Sequence, residues 1–190
     1  MEKLNYDDLG ELIAVVEKFH GHVCAGIIIG VRMTVSALRR LNITDPLGAD
    51  NKKLIVFTEV DRCASESIMC LTGCRPGKRT MKIMDYGKMA ATFVNLDTGK
   101  AVRLAKASQP GKEQSEKDLT TVPEEDLFRA QEVEVKLSPA DLPGKPVRHV
   151  QCANCDESVI DGREVNVNGR ILCKPCAAGH DYYTRIEDFL

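Results

Sequence analysis

Apolar side chains recur at helical spacing near the start of the chain, where Leu9, Leu12, Ile13, Val16 and Phe19 fall on one face of a helix. Asp8, with Glu11 three residues on, gives that segment a capping-box-like start. It is predicted to stop at His20 and Gly21, because glycine enters the left-handed conformation that ends helices at little cost. A second helix is predicted from Cys24 to Leu41, and Gly26 and Gly30, four apart, form a stripe on it that permits close backbone packing. The period then changes. Residues 53–59 (KLIVFTE) are β-branched and aromatic and read as a buried strand. Ala64 to Leu71 reads as a helix stopping at Gly73, followed by strands at Met81–Asp85, Ala90–Asn95 and Ala101–Ala105. Asp97, Thr98 and Gly99 join the last two as an antiparallel hairpin.

From Ser108 to Val122 the composition is polar and reads as an exposed loop; a short helix is predicted from Pro123 through Phe128, and a strand from Gln131 to Leu137. Helices come first and strands follow, so the fold class is α+β, with N-terminal helices packed on a mostly antiparallel sheet. Three prolines and a glycine between Ser138 and Pro146 mark a change of domain. The division expected is a core over residues 1–140, a linker over 141–149 and a small module over 150–190.

That last module carries the clearest chemistry. Cys152 and Cys155 form one Cys-x2-Cys hook, Cys173 and Cys176 a second, with 17 residues between them. Four thiolates on two such hooks meet zinc's tetrahedral preference with little strain. A module of this size buries too little apolar surface to fold alone, so the metal supplies the missing free energy. Residues 159–165 are expected to form a hairpin around Asp161 and Gly162, and a terminal helix from Lys174 places the last cysteines in its first turn, a treble-clef-like arrangement. From Arg148 to Leu190 there are five basic and seven acidic side chains, the wrong balance for a phosphate-binding surface.

The whole chain has a net charge of −2 and no tryptophan, which also argues against a nucleic-acid partner. The longest apolar stretch, from Cys24 to Val31, is too short to span a bilayer. The first residues are polar rather than basic and then apolar, so a cytoplasmic location is expected, where close cysteine pairs hold metal rather than disulfides.

A second set of metal-type residues lies upstream. His20, His22 and Cys24 alternate around Gly21 and Val23, and imidazole with thiolate suits zinc, iron, nickel or copper rather than magnesium or calcium. If Cys24 opens the following helix, its thiolate is favoured by the unpaired amides there. Cys63 stands at the end of the predicted strand and Cys74 after the next helix, so both are candidates to face one cleft with the first three.

Three stretches, 19–26 (FHGHVCAG), 71–78 (LTGCRPGK) and 85–88 (DYGK), resemble the FmdE-like proteins, a family named for one component of formylmethanofuran dehydrogenase. The resemblance covers roughly residues 10 to 135, and the C-terminal module resembles the treble-clef appendage of some members. It implies an α+β core, a homodimer, association with a molybdenum or tungsten dehydrogenase, and a metal or catalytic cleft lined by His20, His22, Cys24, Cys63 and Cys74. Cys24 and His22 are candidates for nucleophile and base, and Glu66 and Lys88 for proton transfer. Two positions depart from the pattern: Ala25 stands where proline is expected, and Glu66 where aspartate is expected. The function expected is a metal-dependent enzyme or enzyme accessory with a structural zinc and a second core metal. The alternative is a non-catalytic binding module, or a metal or cofactor chaperone.

Overall fold

The computed structural model describes residues 4–107 and 115–184. Residues 108–114, part of the stretch expected to be a loop, lie outside them. The chain divides into two compact units, Met1–Lys136 and Leu137–Leu190.

In the first unit, α1 (Leu9–His20) starts at Asp8, whose carboxylate accepts the Glu11 N–H at 2.9 Å. It ends at Gly21, left-handed with φ of 103°. Helix α2 (Ala25–Arg40) follows after a short turn, with Cys24 as its N-cap. Strand β1 (Leu54–Thr58) leads to α3 (Cys63–Thr72), and then come β2 (Met81–Ile83), β3 (Ala90–Asn95) and β4 (Ala101–Lys106). Two short helices, α4 (Glu116–Thr121) and α5 (Glu124–Leu127), precede β5 (Phe128–Val133). The sheet order is β2-β1-β3-β4-β5, antiparallel except for β1 with β2. The fold is therefore α+β with a mostly antiparallel sheet.

Period-2 alternation decides which strand residues meet the helices. Leu54 and Val56 of β1, Ala91 and Phe93 of β3, and Val102 and Leu104 of β4 share one core with Ile28, Met33, Ala37 and Leu38 of α2 and Ile68 of α3. A second cluster, Leu12, Val16, Ile27, Val31 and Leu71, packs α1 against α2 and α3. Phe19, assigned to that apolar face by its spacing, is instead 55% exposed, next to the C-terminal residue of α1.

Several expectations change in detail. The strand predicted to reach Asp85 stops at Ile83 and pairs in parallel with β1; the chain then turns at Asp85, with φ of 48°. The predicted loop contains α4, started by a reciprocal Ser115–Asp118 capping box that the composition concealed. Strand β5 begins at Phe128, not Gln131.

In the second unit β6 (His149–Gln151) pairs with β7 (Ser158–Ile160), and β8 (Val165–Val167) with β9 (Arg170–Leu172), before α6 (Lys174–Ala178). The turn at Asp161 and Gly162 thus connects two hairpins rather than closing one, and the β8–β9 hairpin turns at Asn168 and Gly169.

Candidate metal centre

The core cluster is made where three helix ends meet. α1 delivers His20 as its last residue, α2 is capped by Cys24, and α3 begins with Cys63. The glycine stripe on α2 is what lets α3 come this close. A Cβ built on Gly30 would stand 2.7 Å from Ala64 Cα and 2.8 Å from its carbonyl oxygen, and one built on Gly26 would stand 3.0 Å from Cys63 Cβ. That hypothetical Gly26 methyl would also lie 3.6 Å and 3.7 Å from the Cys63 and Cys24 sulfurs, so Gly26 forms the floor beneath both. The Ser67 hydroxyl donates to the Ile27 carbonyl at 3.1 Å and fixes the same crossing.

A ring nitrogen of His20 and the sulfurs of Cys24 and Cys63 all lie within 4.8 Å of one another. Cys24 occupies an N-cap position where serine or aspartate would accept an amide hydrogen bond, yet its side chain makes none. Its sulfur is therefore not engaged in capping the helix. Burial pushes the Cys63 thiol above its ordinary value, and its hydrogen bond with Cys24 adds to the rise. Glu66, in the first turn of α3, meets His20 Nδ1 at 2.5 Å. The other nitrogen, His20 Nε2, is buried with no hydrogen-bond partner among the described residues.

The other candidates take different places. His22 is exposed beyond the Gly21 turn, its ring centroid 4.7 Å from that of His20, and does not join the three-donor set. Cys74 does not face the cleft: it is 3% exposed in the helix–sheet core, where its thiol donates to the Leu54 carbonyl at 3.5 Å. The reason is length. Ten helical residues advance roughly 15 Å, so Cys63 at the start of α3 and Cys74 just past its end stand at opposite ends of it. Lys88 is exposed, its ammonium 5.6 Å from the Tyr86 ring centroid.

In the second unit the four sulfurs of Cys152, Cys155, Cys173 and Cys176 are likewise all within 4.8 Å. Cys173 caps α6 and Cys176 lies in its first turn, as expected. Backbone N–H groups of Cys155 and Cys173 hold the Cys152 thiol down to about 6. Against the Glu157 amide, which lowers it, burial and the neighbouring thiols push Cys155 up to about 12. Such a spread is the electrostatics of thiols aimed at one point: the first charge resists the second, and a dication between them removes the resistance. A tetrahedral metal at about 2.3 Å from sulfur spaces its donors roughly 3.4–3.8 Å apart, so both clusters need only a small contraction to close on one.

Residues 19–136, more than half of the chain, match the family described as FmdE, molybdenum formylmethanofuran dehydrogenase operon. The chain belongs to the FmdE family. Residues 145–182 match the prokaryotic dksA/traR C4-type zinc finger, which with the four-sulfur cluster makes the second unit a structural zinc finger. The crystal structure of a tungsten formylmethanofuran dehydrogenase FmdE-like protein from Syntrophus aciditrophicus shares the fold, with a TM-score of 0.57 and 21% identity over 96% of this chain and 100% of that one. A probable S-adenosyl-L-methionine-binding protein of Archaeoglobus fulgidus is 31% identical over 97 residues, 50% of this chain and 26% of that protein. The chain thus spans about a quarter of that relative's length.

The FmdE core also contains an ion pair that no local sequence pattern marks. Glu59, just past β1, accepts two hydrogen bonds from Arg103 of β4, at 2.6 Å and 2.8 Å, and Arg103 also donates to Gln131 of β5 at 3.2 Å. The Arg103 guanidinium holds the Glu59 carboxyl below the usual carboxylate range. The Glu59 carbonyl accepts from the N–H groups of Tyr86 and Lys88, so the same residue anchors the turn over residues 85–88. A cavity of about 360 Å³, lined by Arg40, Leu41, Lys100 and residues of β4 and β5, is not lined by His20, Cys24 or Cys63.

Proposed function

We propose that the FmdE core holds a transition metal through His20, Cys24 and Cys63, keeps a fourth position for an exogenous ligand, and uses it as an active site. The observation that carries this reading is the His20 imidazole, which has a ring nitrogen within 4.8 Å of two sulfurs and a buried Nε2 with no partner among the described residues. A buried polar atom left unbonded costs about 1–3 kcal/mol, and metal ligation is the bond this surrounding offers. Two thiolates and an imidazole suit zinc, iron or nickel. Three protein donors with an open position is the arrangement of catalytic zinc, whereas the four-thiolate set of the finger is that of structural zinc. Bound in the core, such a metal supplies Lewis-acid chemistry at the open position.

The chain's own residues supply the rest. Cys24 caps α2 and Cys63 opens α3, so both sulfurs stand at helix N-termini. Cys24 and Cys63 are only half-buried, which supports access for a ligand, and exposed His22 stands beside His20 at the rim. Glu59, four residues before Cys63, holds the turn that carries Lys88, which supports a place for that ammonium at the same end of the sheet. The family's description supports a role beside a molybdenum enzyme, and the proposal includes a homodimer. The test is cobalt loading of the full chain. Thiocyanate should change the visible spectrum of the wild type and not that of Cys63→Ser. A cobalt spectrum indifferent to thiocyanate in both would mean that no open core position exists.

A further inference from the structure

We infer that Glu66 is a positioning residue for the core metal site: it fixes the tautomer of His20 and aims its Nε2 lone pair at the two sulfurs. The inference rests on the metal-site reading above. Neutral imidazole has one N–H and one lone pair, and which nitrogen carries which is set by the partner of either. An ionised carboxylate only accepts, so the 2.5 Å contact of Glu66 Oε2 places the proton on Nδ1. The lone pair is then on Nε2, the nitrogen that is buried without a partner among the described residues.

The backbone explains how one short segment organises the site. Glu66 lies three residues after Cys63 in the first turn of α3, and residues three apart share a helix face. One turn therefore contributes a ligand sulfur directly and a second ligand indirectly, through the imidazole that α1 delivers. The same geometry argues against a proton-transfer role for this carboxylate. Nδ1 and Nε2 are on different edges of the ring, so Glu66 is separated from anything at the metal position by the width of the imidazole. Its side chain is 44% exposed, so the charge stays hydrated while its partner, 14% exposed, is oriented. Reach matters as well: aspartate at this position would fall short by one carbon–carbon bond, roughly 1.5 Å. Carboxylate–imidazole–metal arrangements of this type change metal affinity about 10- to 100-fold when the carboxylate is removed.

The experiment uses the full chain, labelled with ¹⁵N-histidine, as wild type, Glu66→Ala, Glu66→Gln and Glu66→Asp. Zinc affinity is measured by chelator competition, and the His20 tautomer is read from its ring ¹⁵N shifts. The finger of the same molecule is the internal control, and its zinc uptake should be unchanged throughout. Glu66→Ala is expected to bind core zinc about 10- to 100-fold more weakly and to lose the single tautomer. Glu66→Gln, whose amide oxygen still accepts from Nδ1–H, should keep the tautomer and most of the affinity, and Glu66→Asp should follow alanine. Core zinc binding with the same affinity and tautomer in Glu66→Ala would overturn the inference alone. So would equal defects in Ala and Gln with the tautomer intact, since charge and not positioning would then be the cause. A wild type that takes up no zinc beyond the finger would overturn the metal-site reading, and this inference with it.

Discussion

Replacing Gly30 by alanine sets two known effects against each other. In a helix interior, alanine is favoured over glycine by about 1 kcal/mol. The added methyl, however, would meet Ala64 Cα and Ser67 Cβ at 2.7 Å and the Ala64 carbonyl oxygen at 2.8 Å. Carbon atoms pack best at about 3.5–4.0 Å, so α2 and α3 would have to part by roughly 1 Å. None of these neighbours is the end of a flexible side chain, so the strain cannot be relieved by a rotamer change. Overpacking of this kind costs about 1–3 kcal/mol, and contact with backbone belongs at the upper end of that range. The net expectation is a loss of about 2 kcal/mol, a fall in Tm of roughly 4–8 °C by circular dichroism. Gly10 is the control: it is exposed on α1, and the nearest atom to its hypothetical Cβ is Asp8 Oδ1 at 3.3 Å. Gly10→Ala should be neutral or stabilising by up to about 1 kcal/mol. Because α2 and α3 carry Cys24 and Cys63, Gly30→Ala should also weaken core metal binding while the finger keeps its zinc. A Tm equal to or above wild type for Gly30→Ala would refute the close crossing from which the site geometry is argued.

Other consequences follow from particular contacts. Arg103 depresses the Glu59 carboxyl, so this pair contributes stability that is fully present above the ordinary carboxylate pKa near 4.3 and lost as pH falls through the lower folded value. Glu59→Gln should cost about 2–3 kcal/mol at neutral pH, less than a fully enclosed pair because Arg103 keeps a quarter of its surface; in urea titrations at several pH values that difference should shrink below about pH 4.5, and a pH-independent difference would be evidence against the pair. Removing zinc from the finger with a chelator, or making Cys152→Ser, should unfold the second unit, since such modules draw their folding free energy from metal. Amide exchange should then report loss of protection over residues 149–178 with the core amides unchanged, and a finger that stays protected without metal would contradict the structural role assigned to zinc. Asp8→Ala should lower stability by about 1 kcal/mol through loss of the α1 cap, measurable by the same denaturation.

Local signals in the chain specify α1, α2 and α3 well. The Asp8 cap, the stop at Gly21 and the stop at Gly73 stand where side-chain chemistry requires them, and the apolar runs mark β1, β3 and β4. Strand partners are not local properties. That β2 pairs in parallel with β1, and that β7 turns back to β6 instead of forward to β8, depends on tertiary contacts that no alternation pattern carries. The site was legible in part for the same reason. Cys24 and Cys63 meet because glycines at 26 and 30 let two helices touch, and a small-residue stripe shows in sequence. Cys74, by contrast, looked equivalent to Cys63 only because spacing counts residues and not ångströms. The pairing of Glu66 with His20, 46 residues apart, had no local mark beyond residue type.

The central claim is a second metal in the core, distinct from the finger zinc. Its most direct test is metal content per folded chain by plasma mass spectrometry, comparing the wild type with a Cys24→Ser/Cys63→Ser double variant. The account predicts about two metal ions per wild-type chain and about one in the variant, with the finger still protected. About one metal in both proteins would contradict it and leave His20, Cys24 and Cys63 without a metal to hold.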